Sequence, residues 1–213
     1  MARPKLKKID PSLDLSRHLI GEEALPRPWD PSKIFGRAAP LEIEVGPGKG
    51  LFLRNAAAAH PEIDYLGIEV ARRYAQFAAF QLAQRGLTNA VIVWGDAVRV
   101  FHHVLPDGVA SAIHIYFPDP WWKKRHKKRR VIRESFVQRI EAVLKAPGTL
   151  HLWTDVEEYF DTACQLLAAY TRLDGPYEVP ETPAQHDLDY RTHFERRTRL
   201  QGKPVYRGQW YKR

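Results

Sequence analysis

From Leu41 to Tyr170 short apolar runs alternate with stretches of helical spacing, and this rhythm restricts the fold more than any other feature of the chain. The runs are Leu41–Val45, Asp64–Val70, Ala90–Trp94, Ser111–Phe117 and Thr149–Trp153. Between and after them, Leu51–Ala59, Ala71–Arg85, a stretch beyond Asp96, Val131–Leu144 and Glu157–Tyr170 have the spacing of helices, with a turn at Pro147-Gly148. Alternation of this kind predicts an α/β fold, a mostly parallel sheet with helices on both faces. Residues 175–213 differ: Pro176, Pro180 and Pro183 precede strand-like segments around Val205–Arg207 and Gln209–Tyr211, which predict a C-terminal antiparallel strand or hairpin at the sheet edge. Residues 1–37 are basic and proline-containing and read as an arm without a core of its own, leaving 38–213 as the folded domain.

Three strand ends carry matched chemistry. Glu44-Val45-Gly46-Pro47-Gly48-Lys49-Gly50 closes the first strand, and its glycines let the backbone turn tightly against a ligand. By itself a Gly-x-Gly-x-Gly loop is weak evidence, since ordinary turns contain it. The second strand ends in Gly67-Ile68-Glu69, where a carboxylate can accept from both hydroxyls of a ribose. The third ends in Gly95-Asp96-Ala97, where another can accept from an adenine amine. Together Glu44, Gly46, Gly48, Gly50, Glu69 and Asp96 predict an adenosine cofactor at the carboxyl ends of the strands. A carboxylate at Glu44 repels a pyrophosphate and attracts a sulfonium or ammonium, so S-adenosyl-L-methionine is preferred over NAD.

After the fourth strand comes Tyr116-Phe117-Pro118-Asp119-Pro120-Trp121-Trp122, with Asp119 held between two proline rings. Seven of the next eight residues, Lys123 to Arg130, are Lys or Arg. Such runs are usually solvated faces, but this one abuts a stiff carboxylate, and the chain carries a formal charge of +8. Phosphate binding and a nucleic-acid partner are the expectation. Trp121 reads as core, and Trp122 is open between core and base stacking. Thr154-Asp155 follows the fifth strand, where an N-cap is the simple alternative to a functional role. The single cysteine, Cys164, reads as a buried apolar side chain and excludes an intrachain disulfide. His102, His103 and His114 read as ordinary surface or core residues. No metal site is expected, since no His, Cys and carboxylate set has ligand spacing. No apolar run approaches the roughly 18 residues of a membrane span, and no secretory signal is read, so a cytoplasmic location without membrane contact is expected.

These motifs resemble the bacterial tRNA (guanine-N7)-methyltransferase family, whose signature runs Phe-x-Asp-Pro-Trp-x-Lys-x-Arg-His-x-Lys-Arg-Arg. The resemblance spans roughly 41–213, taking in the glycine loop, Glu69, Asp96, Thr154-Asp155, Thr192-His193-Phe194-Glu195 and Gly202–Arg207. Trp122 and His193 depart from the family's commoner residues. The resemblance implies a Rossmann-like class I methyltransferase fold and methyl transfer from S-adenosyl-L-methionine to N7 of a guanine in tRNA, in the variable loop. It further implies that Glu44, Glu69, Asp96 and Asp119 surround the cofactor and that Asp119 is the principal catalytic residue. Lys123, Arg125, Asp155, Thr192, His193, Phe194 and Glu195 are then expected to meet the substrate. No obligatory protein partner is expected, and the chain is read as a monomer or homodimer. Two rivals remain at this stage: a methyltransferase for another RNA base, and a non-catalytic tRNA-binding module on the same fold.

Overall fold

The alternating pattern closes into one mixed sheet. A computed structural model describes residues 6, 8–121, 130–187 and 189–213. Its elements in chain order are β1 (Leu19–Gly21), α1 (Ser32–Phe35), β2 (Leu41–Val45), α2 (Leu51–Ala59), β3 (Asp64–Glu69), α3 (Arg72–Ala83), β4 (Ala90–Trp94), α4 (Ala97–His103), β5 (Ala110–Tyr116), α5 (Glu134–Val143), β6 (Leu144–Thr154), α6 (Glu157–Tyr170), β7 (Asp174–Glu178), α7 (His193–Leu200) and β8 (Tyr206–Lys212). The strand order is β1-β4-β3-β2-β5-β6-β8-β7. The first six strands in this order pair in parallel, and β8 runs antiparallel to both β6 and β7.

Period-two alternation in β2 decides what each face holds. Leu41, Ile43 and Val45 turn to a core shared with Phe101 of α4, Phe136 and Ile140 of α5 and Leu167 of α6. The other face packs Phe52 and Leu53 of α2 and Ala75, Ala78 and Leu82 of α3 against Tyr65, Ile92, Tyr116 and Trp153. Glu42 and Glu44 have the opposite parity to Leu41, Ile43 and Val45, which places two acids on this second face.

Four local features differ from the sequence pattern or add to it. The turn expected at Pro147-Gly148 is absorbed within β6: Ala110 pairs with Leu144 but Ala112 with Thr149, so 145–148 form an irregularity in a continuous strand. The C-terminal hairpin is not simply appended, because its second strand, β8, lies inside against β6 and its first, β7, is the edge. In the basic N-terminal segment, Leu19–Gly21 forms a parallel edge strand beside β4, while Leu25 and Phe35 enter the core. Cys164, expected to be buried, is half-exposed and packs at the margin of that core. Among the described residues no helix is long and apolar enough to cross a membrane.

Candidate active site

Because β4, β3, β2, β5 and β6 are parallel, their carboxyl ends share one edge of the sheet. Glu44, Glu69, Asp96, Asp119 and Asp155 therefore stand at or just beyond five neighbouring strand ends.

The glycine loop is held by Gly46 N–H donating to Ile68 O at 2.9 Å and Gly50 N–H to Pro47 O at 2.9 Å. Gly48 has φ 56° and nothing within 4 Å of where a Cβ would stand, leaving open space in front of the backbone. Gly50 has φ 73°, and a Cβ there would meet Ala78 Cβ at 2.8 Å, so glycine is what lets α2 start against α3. Glu69 fastens this loop to the next helix: its carboxylate accepts from Gly48 N–H at 3.0 Å and from Ala71 N–H at 2.8 Å.

Glu44 is 1% exposed, and among the described residues its Oε2 has no hydrogen-bond partner. Burial raises its proton affinity well above the ordinary carboxylate value, and the neighbouring Glu69 charge raises it further, against a bond from Leu53 N–H. A buried carboxylate with one oxygen unsatisfied, beside another acid, is costly unless a cation meets it. Open space before Gly48 and this half-satisfied acid fit a ligand that carries an ammonium and a sulfonium.

Asp96 is exposed and caps α4, its Oδ1 accepting from Val98 N–H at 2.8 Å. Its own backbone N–H donates to Glu22 Oε2 at 3.1 Å, so the N-terminal segment supports the turn that carries Asp96.

Asp119 stands exposed on a loop whose neighbours are sterically unusual: Phe117 has φ 51° and Trp121 φ 43°. Positive φ at bulky residues marks stored backbone strain of the sort that gathers at functional loops. Phe117 N–H donates to Trp153 O at 2.7 Å, and Arg130 Nε donates to Pro120 O at 2.7 Å, pinning the loop on both sides. Trp121, expected in the core, is half-buried. Trp122, Lys123 and Arg125, with the rest of the cationic run to Arg129, lie outside the described residues.

The Thr192–Glu195 segment folds into the start of α7 and brings a distant part of the chain to this edge. Thr192 is the N-cap, its hydroxyl accepting from Glu195 N–H at 3.0 Å. Glu195 is buried; Oε2 accepts from Arg191 N–H at 2.7 Å, and Oε1 lies 3.3 Å from both Arg199 and Arg207. The side chain expected to read the substrate is thus committed to holding its own helix. Phe194 is exposed and reaches Phe117, while burial, followed by Lys49, Arg54 and Arg196, lowers the proton affinity of His193. Asp155 is half-buried but does not cap α6; that position is Val156, whose N–H donates to Thr154 Oγ1 at 3.2 Å.

Pattern reading passed over a buried polar chain on the same face. Glu42 Oε2 lies 2.9 Å from His114 Nε2, and His114 Nδ1 lies 3.0 Å from Tyr116 Oη. Shared parity of Glu42, Glu44, His114 and Tyr116 on adjacent strands was the available signal. Among the described residues no group of three or more His, Cys, Asp or Glu is placed to hold a metal ion.

Residues 38–208 match a family model described as "Putative methyltransferase". The chain is 44% identical to a protein of Rhodopirellula baltica named tRNA (guanine-N(7)-)-methyltransferase, an alignment covering 100% of this chain and 81% of that one. It is 36% identical to a protein of the same name from Alkalilimnicola ehrlichii, over 94% of this chain and 82% of the other. Among solved structures, the 16S rRNA methyltransferase KamB aligns with TM-score 0.60 at 15% identity, over 84% of this chain and 91% of that one. A SAM-dependent methyltransferase from Aquifex aeolicus aligns at 0.53 with 16% identity, over 85% and 88%. These structures share the fold, which is that of the class I methyltransferases.

Proposed function

The chain belongs to the tRNA (guanine-N(7)-)-methyltransferase family, and from that premise we propose that it transfers a methyl group from S-adenosyl-L-methionine to N7 of a guanine in tRNA, in the variable loop, giving 7-methylguanosine. The observation that carries the cofactor half is Glu44: a buried carboxylate with an unpartnered oxygen, at the mouth of an open glycine loop. Glu69 and Asp96 supply acceptors for ribose hydroxyls and the adenine amine, and the family relation supports the acceptor half.

Bound there, the cofactor supplies an electrophilic methyl on a sulfonium. Guanine N7 has an in-plane lone pair and no proton, so no general base is required and the protein's task is alignment. Positive charge grows on the purine as its bond forms, and Asp119, on its braced loop, offsets that charge. Guanine turns two donors outward at N1–H and the exocyclic amine, which a carboxylate can accept. Asp155 is assigned that reading, while Glu195 acts through the helix start it holds, presenting Thr192, His193 and Phe194. The base must leave its stack to reach the edge. Lys123 and Arg125 are assigned to phosphates, with salt-sensitive binding as the consequence. We place this work in the cytoplasm, by a monomer or homodimer that needs no other protein.

Incubation with labelled S-adenosyl-L-methionine and total tRNA, followed by nucleoside analysis, tests the reading. The expected product is 7-methylguanosine. Label in another nucleoside moves the assignment to another base, and S-adenosyl-L-methionine binding without transfer leaves a tRNA-binding module.

A further inference from the structure

A cavity of about 440 Å³ opens on the α2 face of the sheet, within the range of about 300–1,000 Å³ usual for small-molecule sites. Glu42, Phe52, Tyr65, His114, His151 and Arg191 are among its lining residues; the glycine loop, Glu44 and Asp119 are not.

Its inner wall has a defined hydrogen-bonding polarity. With Glu42 Oε2 accepting from His114 Nε2–H, Nδ1 is left to accept from the Tyr116 hydroxyl. His151 stacks on His114 with centroids 4.9 Å apart and planes 10° apart. Its proton affinity is pushed down to about 2, chiefly by burial and then by His114 and Arg191, so the ring is neutral and offers one donor and one acceptor. Glu42 uses only Oε2 toward His114, which leaves the other oxygen for a donor.

At the cavity wall Arg191 supplies the opposite charge. Its guanidinium lies 5.6 Å from the Phe52 ring centroid and 5.5 Å from that of Trp153. Two aromatic rings lie against it, and among the described residues no carboxylate pairs with it. A guanidinium preorganised in this way is suited to a phosphate. An acceptor-only carboxylate inside suits a ring with adjacent N–H donors, and the neutral imidazole suits a ring carbonyl. Guanine combines these features, and an attached phosphate completes the match.

We propose that this cavity is a second nucleotide subsite, taking a guanine nucleotide other than the one methylated, with its base on Glu42 and His151 and its phosphate on Arg191. The nucleotide is either an unstacked residue of the bound tRNA, which rests on the function proposed above, or free guanosine monophosphate, which does not.

Titration of guanosine monophosphate into the full chain saturated with S-adenosyl-L-methionine, followed through the imidazole resonances of His151, tests the subsite. Saturable binding is expected, with adenosine and uridine monophosphates at least about tenfold weaker. Glu42→Gln and Arg191→Ala are each expected to weaken it about tenfold, while thermal melts and S-adenosyl-L-methionine affinity report that the variants fold. If the tRNA is the source, guanosine monophosphate competes with tRNA in methyl transfer and Arg191→Ala raises KM for tRNA. Saturable binding without either effect assigns the subsite to the free nucleotide. Absent or non-saturable binding, equal binding of all three nucleotides, or indifference to both substitutions overturns the proposal. Loss of tRNA methylation alone, with guanosine monophosphate still bound, counts against the proposed function and not the subsite.

Discussion

Phe194, in the first turn of α7, lies with its ring centroid 5.0 Å from that of Phe117, two residues before Asp119 and itself at φ 51°. The contact couples the Thr192–Glu195 segment to the loop that carries the carboxylate. Truncating Phe194 to Ala removes the ring braced against a strained residue. Turnover on tRNA is expected to fall about tenfold, the scale of a lost aromatic pair of roughly 1 kcal/mol plus some loosening of the loop. S-adenosyl-L-methionine affinity should hold, and Phe194→Tyr should restore most of the rate. Steady-state kinetics with calorimetry separates the two effects.

Asp119→Asn keeps the shape of the side chain and removes its charge. If that charge offsets the cation growing on the purine, kcat should drop by about 10²–10³, the loss seen when a preorganised transition-state group is removed. Single-turnover measurement on tRNA reads the chemical step directly. Near-normal turnover removes Asp119 from its central position.

Glu44→Gln should move stability and binding in opposite directions. The folded chain holds the Glu44 proton more tightly than the unfolded chain does, through burial first and Glu69 second. The contribution of such a group is complete below the unfolded carboxylate value and is lost as pH rises through the folded one. At neutral pH the ligand-free variant should therefore melt higher than the parent. Its S-adenosyl-L-methionine affinity should fall by about tenfold or more, as for a lost charge-assisted contact. Paired thermal melts with and without ligand read both.

His151 gives the opposite pH dependence. Its folded value of about 2 lies below the unfolded 6.5, so stability is retained above 6.5 and drains away as pH falls toward 2. The ring adds up to about 1.4 kcal/mol per pH unit to the acid slope, the linkage of one proton. Denaturant titrations across this window should show a shallower acid slope for His151→Phe. A variant as acid-labile as the parent would show that the ring is not the source.

Local patterns in the sequence carried the central sheet. Apolar runs predict β2 to β6 within a few residues, except that β6 starts five residues earlier, and Glu157–Tyr170 matches α6 end for end. The five acids at the parallel strand ends are legible for the same reason: each sits where an apolar run stops. What pattern misses is pairing at a distance. Leu19–Gly21 is too short for periodicity, and only Ala90–Trp94 makes it a strand. Placing β8 inside β7 depends on pairing with β6, about sixty residues earlier in the chain. The buried setting of Glu195 likewise depends on Arg207 arriving from β8, beside the local partner Arg199 one turn along α7. Arg191 stands outside every motif, and its two aromatic supports, Phe52 and Trp153, come from α2 and β6.

The pairing of Leu19 with Ile92 has a consequence for synthesis. As the chain leaves the ribosome, Leu19–Gly21 emerges first and must wait for Trp94 before it has a neighbour. Until the two meet, β4 presents an uncovered row of amides and carbonyls to other nascent chains. The same event brings Glu22 to the Asp96 amide. Covering that vulnerable flank and seating the turn that carries Asp96 are therefore one step in the birth of the molecule.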